Sequence, residues 1–87
     1  MISRGSPAFW HLLGGLSDHG QRLARDAYQR FMTDPGHPGL RFKKLDGSED
    51  FWSVRVGAQY RAVCRRRGDT VEWFWIGTHG EYDKIVG

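Results

Sequence analysis

Cysteine is almost absent from this chain, whose single Cys64 excludes an internal disulfide. No apolar run approaches ~18 residues, the length that suggests a membrane span, and no arginine-led apolar signal segment opens the sequence. The histidines lie far apart and lack the paired spacing that structural zinc sites use. We therefore expect a reduced, cytoplasmic protein that has no metal and no other cofactor.

Aromatic side chains, by contrast, are abundant, since they make up 14% of the 87 residues and include 4 Trp. A chain of this length has room for one small domain, in which a few bulky side chains supply much of the buried surface. The 13 Lys and Arg against 10 Asp and Glu give a net charge of +3. This balance is compatible with a polyanionic partner but does not identify one. We expect a single domain over residues 1–87.

The hydrophobic pattern changes from helical to strand-like at residues 35–39, where prolines and glycines interrupt any helix. Before this break, apolar residues recur at helical spacing after Pro7, and a second such series runs up to the break. Asp18 followed by Gln21 resembles a capping box at the start of the second helix. The first part of the chain is therefore predicted to form a helical hairpin over about residues 7–34.

After the break, apolar and polar residues alternate as they do in half-buried strands. Residues 51–57 and 60–66 form two such runs joined by a short loop that contains glycine, which predicts a β-hairpin. The pairing that this loop implies sets Arg55 opposite Arg61, on the sheet face that points away from the helices.

Two further strands complete the predicted sheet, a central one at residues 70–76 and another at residues 40–45. The alternation sets Trp52, Trp73 and Trp75 on the helix-covered face, where we expect them to form core. The predicted fold class is α+β, with two N-terminal helices packed on one face of a small antiparallel sheet. The predicted ranges are a helical hairpin at about 7–34, the sheet at about 40–77 and a C-terminal tail at 78–87.

The arginine pair is a candidate phosphate site. Like charges directly opposite one another destabilise a sheet, so Arg55 facing Arg61 is a cost that function commonly explains. Arginine's planar fork suits the uncovered face to phosphate groups. The alternative is structural, with the arginines pairing with a carboxylate such as Glu72 or lying over apolar surface. The neighbouring segment adds further candidate cations: Arg41 and either Lys43 or Lys44.

The C-terminal run also concentrates titratable groups. His79 can transfer protons near neutral pH, and Tyr82 can donate a proton or stack on a base. The alternative is again structural, because a lone histidine is usually solvated and a late tyrosine usually closes the edge of a core.

Several blocks of residues, taken in order, are more specific than any one of them. Together they resemble the ParE-like branch of the RelE/ParE toxins of type II toxin–antitoxin systems, and the resemblance covers roughly residues 8 to 86. The blocks are 37–45 (HPGLRFKKL), 52–57 (WSVRVG), 60–62 (YRA), 73–79 (WFWIGTH) and the pair Tyr82-Asp83.

The resemblance implies two helices packed on a small antiparallel sheet and a cognate antitoxin as partner. Many relatives begin with a strand, whereas residues 1–6 are short and polar, so the presence of that strand stays open. The implied function is a metal-independent, ribosome-dependent endonuclease that cleaves messenger RNA and inhibits translation. The alternatives are a non-enzymatic inhibitor of DNA gyrase, as for ParE proper, and a degenerate domain that binds only its antitoxin. The roles carried over are catalysis for Arg55, Arg61, His79 and Tyr82 and RNA binding for Arg41, Lys43 and Lys44.

Overall fold

The computed structural model describes residues 1–86, which form helices and a five-stranded sheet in one α+β domain, so the predicted fold class is confirmed. The strands lie in the order β1-β5-β4-β3-β2 across the sheet. No helix in residues 1–86 has both the length and the apolar composition needed to span a bilayer. In chain order the elements are β1 Ile2–Gly5, α1 Pro7–Gly14, α2 Asp18–Thr33, a 3-10 turn Pro38–Leu40, β2 Lys43–Lys44, β3 Phe51–Val56, β4 Tyr60–Arg67, β5 Thr70–Thr78 and α3 His79–Val86.

The helical hairpin begins with serine caps. Ser6 accepts a hydrogen bond from the Phe9 amide at the start of α1, and Ser17 accepts one from the Gly20 amide at the start of α2. The α2 cap is therefore one residue earlier than Asp18, which lies in the first helical turn. An N-terminal serine satisfies an amide that the helix itself leaves without a partner.

The hairpin of β3 and β4 has the predicted register, with Val54 opposite Ala62 and Arg55 opposite Arg61. Its turn contains Gly57 at φ +62°, a left-handed conformation that glycine adopts at low cost. Because adjacent strands share the alternation of their side chains, this register fixes which residues lie on each face.

The N-terminal strand left open by the sequence is present. β1 pairs parallel to β5, with Ser3 opposite Val71, so the sheet is mixed and not wholly antiparallel. The Ser3 hydroxyl also accepts a hydrogen bond from the Trp73 indole at 2.9 Å. A short polar segment forms a strand here because it completes the backbone hydrogen bonding of β5.

The strand predicted over residues 40–45 is shorter than expected, because only Lys43–Lys44 pairs with β3. Pro38–Leu40 form a 3-10 turn, and Arg41 follows it at φ +48°. Proline fixes its own backbone angle and suits the start of such a turn. Leu40 is thereby buried in the core, with 2% of its surface exposed.

Trp75 does not lie where the alternation predicts. Cys64 pairs with Trp73 and Val63 with Trp75, so Phe74 is an extra residue that forms a β-bulge. After the bulge the side chains of β5 change faces, and Ile76 takes the core position in place of Trp75. Trp73 remains in the core and Trp52 packs against its edge.

The segment predicted as a C-terminal tail forms α3, with Gly87 outside the described residues. The helix is preceded by a capping box, because Glu81 accepts hydrogen bonds from the Thr78 amide and hydroxyl while the Glu81 amide donates to the Thr78 hydroxyl. The backbone amide of His79 donates to the Gln59 carbonyl at 2.7 Å, which ties α3 to the β3–β4 turn. α3 packs on the sheet against β4 and β5.

Candidate functional site

The sheet has two unlike faces. One is covered by α1 and α2 and holds the apolar core, whereas the other carries α3 and is here called the distal face. β3 presents Ser53 and Arg55 to the distal face, since Val54 and Val56 point into the core. Lys43 pairs with Ser53 and Lys44 with Trp52, so Lys43 is the lysine that shares the distal face.

Lys43, Arg55 and Arg61 lie on this face, and Arg41 lies close to Arg61. Burial lowers the pKa of Arg61, and the positive charges of Arg55 and Arg41 lower it further. Within residues 1–86 no Asp or Glu oxygen lies within 4.0 Å of a charged nitrogen of Arg41, Lys43, Arg55 or Arg61.

The two central arginines are nevertheless held in place. Arg55 Nε donates to the Gly57 carbonyl at 3.0 Å, and an Arg61 terminal nitrogen donates to the Tyr60 carbonyl at 3.2 Å. Glu72, considered above as a structural partner, forms its ion pair with Arg4 at 3.6 Å instead. Since a guanidinium group offers five donors, these single bonds leave most of the hydrogen-bonding capacity of each arginine for other acceptors.

Beside the arginines lies a buried hydroxyl pair. Tyr82 is 7% exposed and its Oη donates to Ser53 Oγ at 3.1 Å, while Ser53 is 2% exposed. The Tyr82 ring also lies 6.4 Å from the Trp75 ring, centroid to centroid. With its ring covered in this way, Tyr82 anchors α3 to the sheet and does not offer a free face to a base.

His79 and Asp83 form the titratable part of the site. Asp83 also lies close enough to Arg61 for its charge to raise the arginine's pKa slightly against the dominant effect of burial. His79 Nε2 lies 3.2 Å from an Asp83 carboxylate oxygen, one helical turn away, and the imidazole is 47% exposed. Nε2 faces the carboxylate, so the ring nitrogen that is not engaged by Asp83 is Nδ1.

Sequence reasoning missed Ser53, the role of Asp83 and the cap of α3. Ser53 is two residues before Arg55 in an alternating strand, which signals a shared face. Asp83 is four residues after His79, the spacing of neighbours on a helix. Residues 78–81 read Thr-x-x-Glu, a capping-box pattern that marks the start of α3.

Neither a metal site nor a reactive thiol is evident in the part of the chain that the structure describes. No group of three or more His, Cys, Asp and Glu side chains there is arranged to hold an ion. Cys64 is fully buried, and burial raises its pKa to about 12, so it stays a protonated thiol.

A family model described as the ParE-like toxin domain matches residues 18–84, which is most of the chain. The chain belongs to the ParE-like toxin family. This confirms the resemblance to RelE/ParE toxins that the ordered sequence blocks indicate. No curated protein matches the chain as a relative.

Solved structures of toxins share the fold of this ParE-like toxin. The RelB–RelE antitoxin–toxin complex from Methanococcus jannaschii contains a chain that matches with a TM-score of 0.75, 16% identity and 100% coverage of both chains. YafQ from E. coli matches with a TM-score of 0.73 and 9% identity, covering 92% of this chain and 94% of that one. The YoeB/ParE toxin from Agrobacterium tumefaciens matches with a TM-score of 0.68 and 20% identity, covering 91% and 99%. At these identities the matches show a common fold.

Proposed function

We propose that this toxin is an endonuclease that cleaves messenger RNA at the ribosome without a metal ion. The observation that carries the proposal is the group of four cations on and beside the distal face, which have no carboxylate partner within residues 1–86. Placing Arg55 and Arg61 opposite one another costs stability, and an anion bound between them would offset that cost.

The proposed reaction is attack of a ribose 2'-hydroxyl oxygen on the neighbouring phosphorus. The new O2'–P bond forms as the P–O5' bond breaks. The 2'-hydroxyl gives its proton to a base and the leaving 5' oxygen takes up a proton, which leaves a 2',3'-cyclic phosphate and a 5'-hydroxyl. Arg55 and Arg61 would stabilise the charge that gathers on the phosphoryl oxygens, with Lys43 and Arg41 holding the flanking phosphates. Lys44, on the other side of β2, would add electrostatic attraction at the sheet edge.

His79 is the residue best placed to move a proton in this reaction. It is exposed, and Asp83 engages only Nε2 of its imidazole, which leaves Nδ1 to act on a substrate. Tyr82 takes a positioning role in the proposal, because its hydroxyl is engaged by Ser53 and its ring is buried under α3. The tyrosine keeps α3, and with it His79, in register with the arginines.

The proposed partner is an antitoxin whose acidic, amphipathic segment lies over the distal face. Charge complementarity supports this, because the four cations would be neutralised by acidic side chains. Two structures that share the fold are complexes: one is described as a RelB–RelE antitoxin–toxin complex from Methanococcus jannaschii and the other as a RelE–RelB complex from Pyrococcus horikoshii. Co-expression with a neighbouring small reading frame should rescue growth and yield a co-purifying complex, and the absence of such a frame would contradict the proposal.

Inhibition of DNA gyrase is the second candidate function, and the ParE-like character of the family match favours it. A gyrase inhibitor would need the cations for binding alone and would have no use for a held imidazole. A third candidate is a degenerate domain that binds only its antitoxin, in which case the distal face serves that contact and no other.

One experiment separates these functions: induction of the chain in cells, with mapping of RNA 5' ends, beside supercoiling assays on purified gyrase. A nuclease yields discrete new 5' ends in translated messages and leaves supercoiling unchanged. Arg55→Ala and Arg61→Ala should each reduce cleavage by roughly 10²–10³-fold, the effect of losing one group that stabilises developing charge. Arg22→Ala, an exposed arginine on α2, is the matched control and should cleave normally.

The His79 variant tests the mechanism more finely. His79→Gln should reduce cleavage by about 10²-fold, the lower end for one proton-transfer group. His19→Gln, an exposed histidine on α2, is its control. Inhibition of supercoiling without new RNA ends would overturn the nuclease in favour of the gyrase inhibitor. If the arginine variants keep full activity in both assays, the distal face has no part in the mechanism.

A further inference from the structure

An aromatic pair lies on the distal face at some distance from the arginines. Phe51 is 41% exposed, a large value for so apolar a side chain, and its ring centroid lies 5.5 Å from that of Phe74. Phe51 alternates with Ser53 and Arg55 along β3, so all three point to the distal face. Phe74 follows Trp73, which points into the core, so its own ring points to the distal face and meets Phe51 across β4.

The bulge adds a further aromatic residue to this face. In a regular strand Phe74 and Trp75 would point to opposite faces, whereas the bulge turns Trp75 to the distal face as well, next to the ring of Phe74 that meets Phe51 across β4. Bulges often redirect a side chain next to a functional site. Phe51 adds nothing to the core on the covered face, because it points to the other side of the sheet. Its exposure leaves part of the ring accessible to a ligand.

Cations connect the aromatic pair to the arginine site. Phe51 lies four residues before Arg55, or ~13 Å along an extended strand. Lys43 pairs with Ser53, midway between them, and is exposed on the outer strand β2. The charged side chains nearest Phe51 neutralise one another, since Asp50 forms ion pairs with both Arg65 and Arg67. The two phenylalanine rings therefore form an apolar surface.

We propose that Phe51 and Phe74 form a base-stacking subsite for single-stranded RNA, a few nucleotides away from the phosphate held by Arg55 and Arg61. This inference rests on the proposed RNA-cleaving function and extends it to the recognition of a flanking nucleotide. Alternating cationic and aromatic side chains along one track are the arrangement by which proteins hold unpaired nucleic acid. Stacking uses the face of the base, so the subsite favours an unpaired base and reads its identity weakly.

The test uses the purified full-length protein and a labelled single-stranded RNA oligonucleotide at low salt, with an abasic residue placed at each position in turn. Removing the base that stacks on Phe51 should weaken binding by about 5- to 150-fold, the range for one stacked base. Phe51→Ala should weaken binding of the intact RNA by the same factor and abolish the difference between intact and abasic RNA. Phe51→Tyr keeps the ring and should restore both.

Tyr28→Ala is the matched control, because Tyr28 is an aromatic residue of similar exposure, 45%, on the opposite side of the molecule. It should bind both RNAs as the unsubstituted protein does. Arg55→Ala should weaken binding of every oligonucleotide equally and keep the abasic difference. Circular dichroism of each variant establishes that it is folded, and cleavage of a message on programmed ribosomes gives the same comparison in the catalytic setting.

The outcomes distinguish this inference from the function on which it rests. An unsubstituted protein that neither binds the oligonucleotide nor cleaves messages overturns both. RNA binding with no positional effect of the abasic residue, and with Phe51→Ala unchanged, overturns the stacking subsite alone. If Phe51→Ala leaves RNA binding intact but prevents co-purification with the antitoxin, the pair is a protein contact and the stacking subsite is wrong.

Discussion

The two faces of the sheet are built from the same three long strands, yet they have opposite chemistry. On the face covered by α1 and α2, Phe31 is 1% exposed and its ring packs edge-on against Trp73, with centroids 5.2 Å apart. On the distal face Arg55 and Arg61 stand opposite each other, and the short helix α3 covers part of the surface through Tyr82. One face is organised for stability and the other accepts unfavourable charge, so substitutions on the two faces should separate stability from toxicity.

The largest expected effect on stability comes from the covered face. Phe31→Ala should lower the free energy of unfolding by about 3–5 kcal/mol, because the cavity it leaves is surrounded by rings that cannot collapse into it. The matched substitution on the distal face is Phe51→Ala, which should cost about 0.5–1.5 kcal/mol, the value of one aromatic pair. Urea denaturation measures both, and equal losses would mean that the two faces are not as different as their packing indicates.

The hydroxyl pair under α3 should give an intermediate effect. Tyr82→Phe or Ser53→Ala alone leaves a buried hydroxyl without a partner and should cost about 1–3 kcal/mol. The double variant removes both polar groups and should recover most of that loss. Denaturation of the four proteins forms a thermodynamic cycle, and simple additivity of the two single losses would contradict a direct hydrogen bond between these residues.

Substitution in the arginine pair should separate stability from toxicity most clearly, although its effect on stability is small. Arg55→Gln removes one of two like charges that face each other and should raise the free energy of unfolding by about 0.2–1 kcal/mol. The same variant should lose toxicity in a growth assay. A variant that is both less stable and less toxic would instead indicate that Arg55 has a structural role.

The smallest effect is expected at the capping box of α3. Hydrogen bonds from the Thr78 amide and hydroxyl lower the pKa of Glu81 below its ordinary value of 4.5. The folded helix therefore favours the charged carboxylate, so the stabilisation is complete above pH 4.5 and is lost as the pH falls through the lowered pKa. NMR chemical shifts of residues 79–86 should report fraying of α3 in that acidic range.

The Glu81→Gln variant is the control for this titration, since glutamine can also accept at the cap but carries no titrating charge. Its α3 shifts should not follow the same acid transition. If α3 frays identically in both proteins, another carboxylate controls the helix, with Asp83 the nearest alternative.

Most of the architecture was predictable because it follows from local periodicity. The β3–β4 pairing, the arginine pair and the helical hairpin each depend on residues close together in the chain. The Thr-x-x-Glu pattern of residues 78–81 likewise marks the start of α3 through local residues alone. The N-terminal strand was not predictable from its own residues, since its stability comes from a parallel pairing with β5 about seventy residues later.

The candidate site divides in the same way. Local alternation is enough to place Arg55 and Arg61 on one face, because a period of two leaves no other arrangement once the hairpin forms. The tertiary structure decided which of Lys43 and Lys44 joins them, since that depends on the pairing of β2 with β3. It also moved Trp75 off the covered face through the Phe74 bulge, and it brought α3 back onto the sheet so that Tyr82 meets Ser53. These features depend on contacts between distant segments, where packing and hydrogen bonding override the local pattern.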